Sequence, residues 1–339
     1  MAVTLADIAK IAQVSESAVS RALQDNPRIS LATRERIKKL ALEMDFEYNA
    51  HARGLSTHKS ATIGVILSNF GTRVCHTYYL DLLVNDLRFR LAERNFDMLI
   101  CDSEHHATGD SNLSRLVRQR KVDGLILIIA ELPEKDRKVI ERQHIPMVLV
   151  NSHSVLMLGE SIDSIPSFFT DNVGGGALAA GHLTDASCKS LLCVADRNAG
   201  PEMIDRTKGF EAEARRRGIP AKVIECPSDF AQALSFISDR IEEFRRCDGV
   251  FCHTDLMACA ALQACAANGI PVPADLRIVG FDDIELGTYF SPRLTTIHQP
   301  REEIAERAVA SLLNRIGRNE RQAIEHMSFP PRLVLRESS

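Results

Sequence analysis

At 339 residues the chain is long enough for two or three domains with substantial cores. A hydrophobic content of 45%, a charged content of 25% and a formal net charge of −4 fit a globular protein and exclude a polycation that coats nucleic acid by bulk charge. The longest apolar run, residues 124–130, has strand length and excludes a membrane span. Charge is unevenly placed: residues 1–60 carry nine Lys/Arg against seven Asp/Glu, and the acidic excess lies in the remainder.

The chain opens with two short helices joined by a tight turn. Thr4 caps the first, and Asp7, three residues on, closes a capping box. Ile8, Ile11 and Ala12 share one face, Gln13-Val14 makes the turn, and Ser15 caps the second helix. Val19, Ala22 and Leu23 supply that helix's buried stripe. Glu16, Ser17, Ser20 and Arg21 stay outward, followed by Gln24, and have the length and polarity to reach base edges or phosphates in a major groove. This is the layout of a helix-turn-helix reader of double-stranded DNA. A third capped helix begins at Ser30 and carries Arg34, Arg36, Lys38 and Lys39. Ser17 and Arg21 are the expected base contacts, with Glu16 and Gln24 beside them. Ser15, Ser20, Asn26, Arg28 and Arg34 are expected to set register on the backbone, and Thr4 is a further candidate for DNA contact.

Residues 49–55 are too few for a helix stable alone, and Gly54 weakens it by about 1 kcal/mol relative to Ala. Such a segment can order only when two copies pack together on DNA. Beyond residue 60, short apolar runs at 62–67, 98–101, 124–129, 147–150, 190–195, 249–252 and 276–281 alternate with amphipathic helical stretches. That alternation predicts an α/β body of parallel sheets, in two blocks with a ligand cleft between them. The nine cysteines are odd in number and form no C-x-x-C pair, so they are expected to be core residues in a reducing cytoplasm rather than metal ligands or disulfides. No apolar signal-like segment opens the chain, because Asp7 and Lys10 interrupt it.

Head and body together resemble the LacI/GalR family of bacterial transcription repressors. The resemblance rests on Thr4…Asp7-Ile-Ala…Val14-Ser15…Val19-Ser20-Arg21, Asn49…Leu55 and Val122-Asp-Gly-Leu125. It continues through Asp171-Asn172, Arg206…Gly209-Phe210, Val279-Gly-Phe-Asp-Asp283 and Leu294-Thr-Thr…Gln299-Pro300. It implies an all-α helix-turn-helix head at 1–48, a hinge at 49–60 and a two-lobed body of two doubly wound parallel sheets, like a periplasmic binding protein, at 61–339. The lobes are expected at about 61–160 plus 294–325 and 161–290 plus 326–339. It further implies a cytoplasmic homodimer on a near-palindromic operator, with Leu55 as an apolar wedge in the minor groove and Asn49 and Ala52 beside it. A small polar metabolite, a sugar or sugar derivative, would sit between the lobes. Arg206 and Asp282 lead its candidate ligands, with Tyr78, Tyr79, Asn151, Phe230, Thr254 and Asp255 around them. No cofactor, metal or catalytic residue is implied. Two departures concern the head: Gln13 and Ala18 stand where the family usually has Gly and Thr, and the first puts a side chain where the turn needs a positive φ.

A competing reading is an NAD-linked oxidoreductase. Residues 174–179 fit G-x-G-x-x-A, with Asp196 about 20 residues on. Against it, Asp171-Asn172-Val173 separates the glycines from the preceding strand, and no acid/base constellation accompanies them.

Overall fold

The computed structural model describes residues 3–23, 25–46, 59–67, 78–105, 107–128, 132–152, 165–317 and 323–339. They form two compact units, 1–60 and 61–339. The first contains α1 (Leu5–Ala12), α2 (Glu16–Leu23) and α3 (Leu31–Glu43). Both halves of the capping box form: the Asp7 amide donates to Thr4 Oγ1 at 3.3 Å, and the Thr4 amide donates to the Asp7 carboxylate at 2.9 Å. Ile8, Val19, Ala22 and Ile37 are fully buried where the three helices meet. Ile11, expected on the buried face, is 57% exposed. The buried arc of α1 runs through Ile8, Ala12 and Ala9, which leaves Ile11 on the flank. Gln13 adopts φ 54°, ψ 44°, the left-handed conformation that the turn demands.

The second unit has two lobes. In chain order its elements begin β1 (Thr62–Leu67), α4 (Tyr78–Ala92), β2 (Asp97–Asp102), α5 (Asn112–Arg118), β3 (Gly124–Ile128), α6 (Glu134–Gln143), β4 (Met147–Val150) and β5 (Ser167–Thr170). Next come α7 (Asn172–Asp185), β6 (Leu191–Asp196), α8 (Pro201–Arg216), β7 (Ala221–Cys226), α9 (Phe230–Ser238), α10 (Ile241–Phe244), β8 (Gly249–Cys252), α11 (Asp255–Ala267) and β9 (Arg277–Asp282). The last are β10 (Thr295–His298), α12 (Arg301–Gly317), β11 (His326–Phe329) and β12 (Arg332–Val334). The first sheet is parallel throughout, in the order β11-β5-β4-β3-β1-β2. The second runs β12-β10-β9-β8-β6-β7, with only β12 antiparallel. Each sheet is packed on both faces, so each lobe holds two apolar clusters.

The lobe boundaries differ from the expectation. β5 and β11 belong to the first sheet, although their sequences fall in the stretches assigned to the second lobe; residues 295–298 pair in the second sheet rather than the first. The chain therefore crosses between lobes three times, after Thr170, after His298 and after Phe329. Each crossing takes only a few residues, so no linker marks it in the sequence.

One contact inside the second lobe positions the site. α7 and α8 meet at glycines: a β-carbon on Gly209 would stand 1.9 Å from the Val173 carbonyl oxygen, and one on Gly176 2.0 Å from that of Arg206. The two backbones touch there, and Arg206 is held at the seam.

Candidate functional site

The carboxyl ends of β3, β4, β6, β8 and β9 converge between the lobes on a cavity of about 390 Å³. This is the place a doubly wound sheet reserves for ligands, and the volume suits a small metabolite. Asn151 follows β4 with φ 61°, and Asp282 ends β9 with φ 123°. Backbone in this region is costly for a residue with a β-carbon and is characteristic of sites where a side chain must be aimed. Here it turns one polar side chain from each lobe toward the same space.

Arg206, on α8, is only 4% exposed. Its Nε donates to Asn172 Oδ1 at 2.9 Å, its Nη1 donates to the His253 carbonyl, and Nη1 lies 3.7 Å from Asp282 Oδ1. The guanidinium also stacks 3.6 Å above the centre of the Phe281 ring. Asp282 accepts from Gln299 Nε2 at 2.7 Å, and Gln299 Oε1 accepts from Thr170 Oγ1 at 2.8 Å. Asn172 closes the circuit by donating to the Thr170 carbonyl at 2.9 Å. Thr170–Gln299–Asp282–Arg206–Asn172 is thus a buried ring that runs through two of the three interlobe crossings. Asp282 and Arg206 are thereby tied by hydrogen bonds to the segments in which the chain passes between the lobes.

Burial shifts the charges of this region in predictable directions. It raises the Asp282 carboxyl, an effect the nearby Arg206 opposes. Asp255 is raised more strongly, by complete burial and by the facing charge of Asp282. Burial, reinforced by Arg206, lowers His253 to about 3, so it stays neutral; its Nδ1 accepts from the Asp196 amide at 3.1 Å. Burial also raises the Tyr79 hydroxyl, which donates to Asn151 Oδ1 at 3.4 Å.

Of the sequence-derived ligand candidates, Tyr79, Asn151, Arg206, Thr254 and Asp282 line the cavity together. Three do not. Tyr78 is half exposed on the surface, and Phe230 packs against the second lobe's core, leaving Ser228 on the wall instead. Asp255 turns away: its carboxylate accepts from the Ile284 amide at 2.8 Å and from Thr296 Oγ1, stapling the loop after β9. Sequence reasoning did not propose Leu80, Ile128, Asp196, Asn198, Glu202 or Met203, which also line the space. Two carried a signal: Asp196 ends a strand, and Glu202 lies one helical turn before Arg206 on the same face.

On the head, Glu16, Ser17 and Arg21 are exposed along α2, and Ser20 is half-buried beside them. Ser15 Oγ accepts from the Ala18 amide at 3.2 Å and so caps α2, while it also lies 3.0 Å from Ser17 Oγ. Asn26 Oδ1 accepts from the Arg28 amide at 3.0 Å, which holds the turn and leaves the Arg28 side chain outward. Thr4 is committed to its capping box. Arg34 donates to the Asp25 carbonyl at 3.0 Å, a contact any phosphate would have to share. Gln24, Asn49, Ala52 and Leu55 lie outside the described residues.

Residues 174–176 sit inside the opening turns of α7, with the Gly174 amide donating to the Asp171 side chain and the Gly175 amide to the Asp171 carbonyl. Their backbone is helical rather than a phosphate-cradling turn, and the glycines serve the seam with α8.

Residues 4–49 match the model of bacterial regulatory proteins of the lacI family, and 180–339 match a periplasmic binding protein-like domain. The transcriptional repressor CytR of Escherichia coli K12 is 30% identical over 319 residues, covering 93% of this chain and 90% of that protein. This chain belongs to the LacI family. As a family member it is a DNA-binding transcription regulator controlled by a small-molecule effector. The HTH-type transcriptional repressor PurR of Aliivibrio fischeri is 28% identical over 99% of this chain and 98% of its own length. A lac repressor dimer bound to operator and the anti-inducer ONPF superposes with TM-score 0.80 at 23% identity, over 100% and 99% of the two chains. A LacI-family regulator of Enterococcus faecium with bound ribose gives 0.70 at 25% identity, over 82% and 98%. The free cysteines of this LacI-family chain are mostly core residues, and burial pushes thiols such as Cys193 and Cys259 up to about 12.

Proposed function

We propose that the chain is a cytoplasmic homodimeric repressor of a near-palindromic operator, and that a sugar or sugar derivative in the interlobe cavity adjusts its grip. The observation that carries the reading is the joining of ligand wall and interlobe crossings: Arg206 and Asp282 line the cavity and also belong to the buried ring that crosses between lobes. A molecule with several hydroxyl groups offers donors to Asp282 and acceptors to Arg206, and the ribose bound to the Enterococcus faecium relative is of this kind. On the head, exposed Arg21 and Ser17 are the residues assigned to base edges, and Ser15, Ser20, Asn26 and Arg28 those assigned to the backbone. Residues 49–60 serve as the hinge, with Asn49 and Ala52 flanking the Leu55 wedge. Tyr78 and Phe89 on α4 and Ile100 on the edge strand β2 leave apolar surface that a second copy would cover.

A thermal-shift screen of neutral sugars and nucleosides on the purified chain tests the effector assignment. A hit whose shift disappears in both Arg206→Ala and Asp282→Ala is the expected result. A hit that survives both substitutions places the ligand elsewhere.

A further inference from the structure

The cavity's charges are lopsided. Among the described lining residues Asp196, Glu202 and Asp282 are acidic, and Arg206 is the single cation. Arg206 is partly committed: its Nε donates to Asn172 and its Nη1 to the His253 carbonyl, with Asp282 3.7 Å away and the Phe281 ring stacked beneath it. The other feature that ordinarily attracts anions is the amino-terminal end of α8, which opens onto the cavity through Gly200 and Glu202. That end is pre-empted. Pro201 at the first helical position has no N–H to offer, and Glu202 stands in the first turn. Glu202 Oε2 lies 3.1 Å from where a β-carbon on Gly200 would be, so the carboxylate folds back over the helix end. Asp196 is 7% exposed, and its Oδ1 accepts from the Asn198 amide at 2.9 Å. Three of the four charged groups on the described wall are therefore carboxylates, among neutral Tyr79, Asn151, Asn198, Ser228 and Thr254, and Leu80, Ile128 and Met203 supply apolar surface for C–H faces.

Resting on the reading of this cavity as the effector site, we infer that it takes an uncharged polyol and turns away phosphorylated or carboxylated forms of the same compound, with Glu202 as the residue that sets this preference. A phosphate entering near α8 meets Glu202 at close range in a partly desolvated space, where like charges repel far more strongly than in water. A hydroxyl group there donates to the same carboxylate, a charge-assisted hydrogen bond.

Calorimetric titration of the full chain with matched pairs tests this: ribose and ribose 5-phosphate, glucose with glucose 6-phosphate and gluconate, adenosine and adenosine monophosphate. In each pair that binds, the neutral form is expected to bind roughly ten-fold or more tightly than its anionic form. Glu202→Gln is expected to weaken the neutral form and strengthen the anionic one, narrowing the gap from both sides, while Glu202→Asp keeps the preference. An anionic form that binds the unaltered protein as tightly as its neutral partner overturns the inference and leaves the effector site standing. A gap unchanged in Glu202→Gln overturns the role of that residue. If no pair member binds in either form, the sugar reading itself fails, and the inference with it.

Discussion

At the scale of single residues, two positions carry consequences that can be measured. Gln13 holds a left-handed backbone that costs a residue with a β-carbon about 1 kcal/mol, so Gln13→Gly should raise the unfolding midpoint of the isolated transition of the head. A lowered midpoint would mean that the Gln13 side chain makes compensating contacts. Asp283 is a charged residue working in the opposite sense from its neighbour Asp282. Burial opposes its ionisation, but hydrogen bonds from His298 and Arg336 prevail and bring its carboxyl down to about 2. Its folded value lies below the unfolded one near 4, so the stability it contributes is complete above pH 4 and is lost as pH falls toward 2. Urea midpoints compared between pH 6 and pH 3 should therefore drop less in Asp283→Asn than in the unaltered chain. Some of this was legible in the sequence: Arg206, Asp282, Asn151 and Thr254, expected at the cleft from the family resemblance, all line the cavity. Phe230, Tyr78 and Asp255 were misplaced because the direction of a side chain next to a strand end depends on the local turn. Asp255 sits beside Thr254 in sequence, yet the helix cap sends one into the cavity and the other into the loop after β9.

At the scale of elements, the α7–α8 seam is the tightest constraint on the site. No side chain fits between Gly209 and the Val173 carbonyl, so Gly209→Ala must push the helices apart. The cost should be about 3 kcal/mol, in the upper range for overpacking, and it should displace Arg206 as well. Chemical denaturation reads the first effect and loss of effector binding the second; a fully stable Gly209→Ala protein would show that the seam is looser than described. The same glycines invite the dinucleotide reading of residues 174–179 when only their spacing is considered. Spacing gives no information on whether glycines lie in a turn or within a helix that another helix touches. The central strands were legible because burial on both faces leaves continuous apolar runs such as Val148 to Val150. The edge strands β7 and β11 were not, because their exposed positions interrupt the apolar run. The assignment of strands to lobes was also illegible, since a crossing such as Asp171 between β5 and α7 needs only a residue or two.

At the scale of the whole molecule, the account joins two activities in one chain: base readout by α2 and effector binding between the lobes. The head's pattern of caps and buried positions was readable from sequence because its short helices depend on local signals. The ring from Thr170 to Asn172 was not readable, because its members are far apart in sequence. Gln299 joins that ring without being a lining residue. Gln299→Leu should therefore leave operator affinity near its starting value in the absence of effector and reduce the change that effector produces. An undiminished effector response, measured by fluorescence anisotropy on operator DNA, would remove Gln299 from the coupling. Arg21→Ala should cost about 1–3 kcal/mol of operator affinity and relax the base preference at one position per half-site. Uniform weakening across operator variants would assign Arg21 to phosphate instead. The most direct test of the whole account is a single anisotropy titration of operator DNA with the full chain, with and without saturating effector, at fixed salt. The account predicts salt-sensitive, sequence-selective binding whose affinity changes by roughly 5–150-fold when effector is present, in either direction. Selective binding that is indifferent to a ligand proven to occupy the cavity would contradict it.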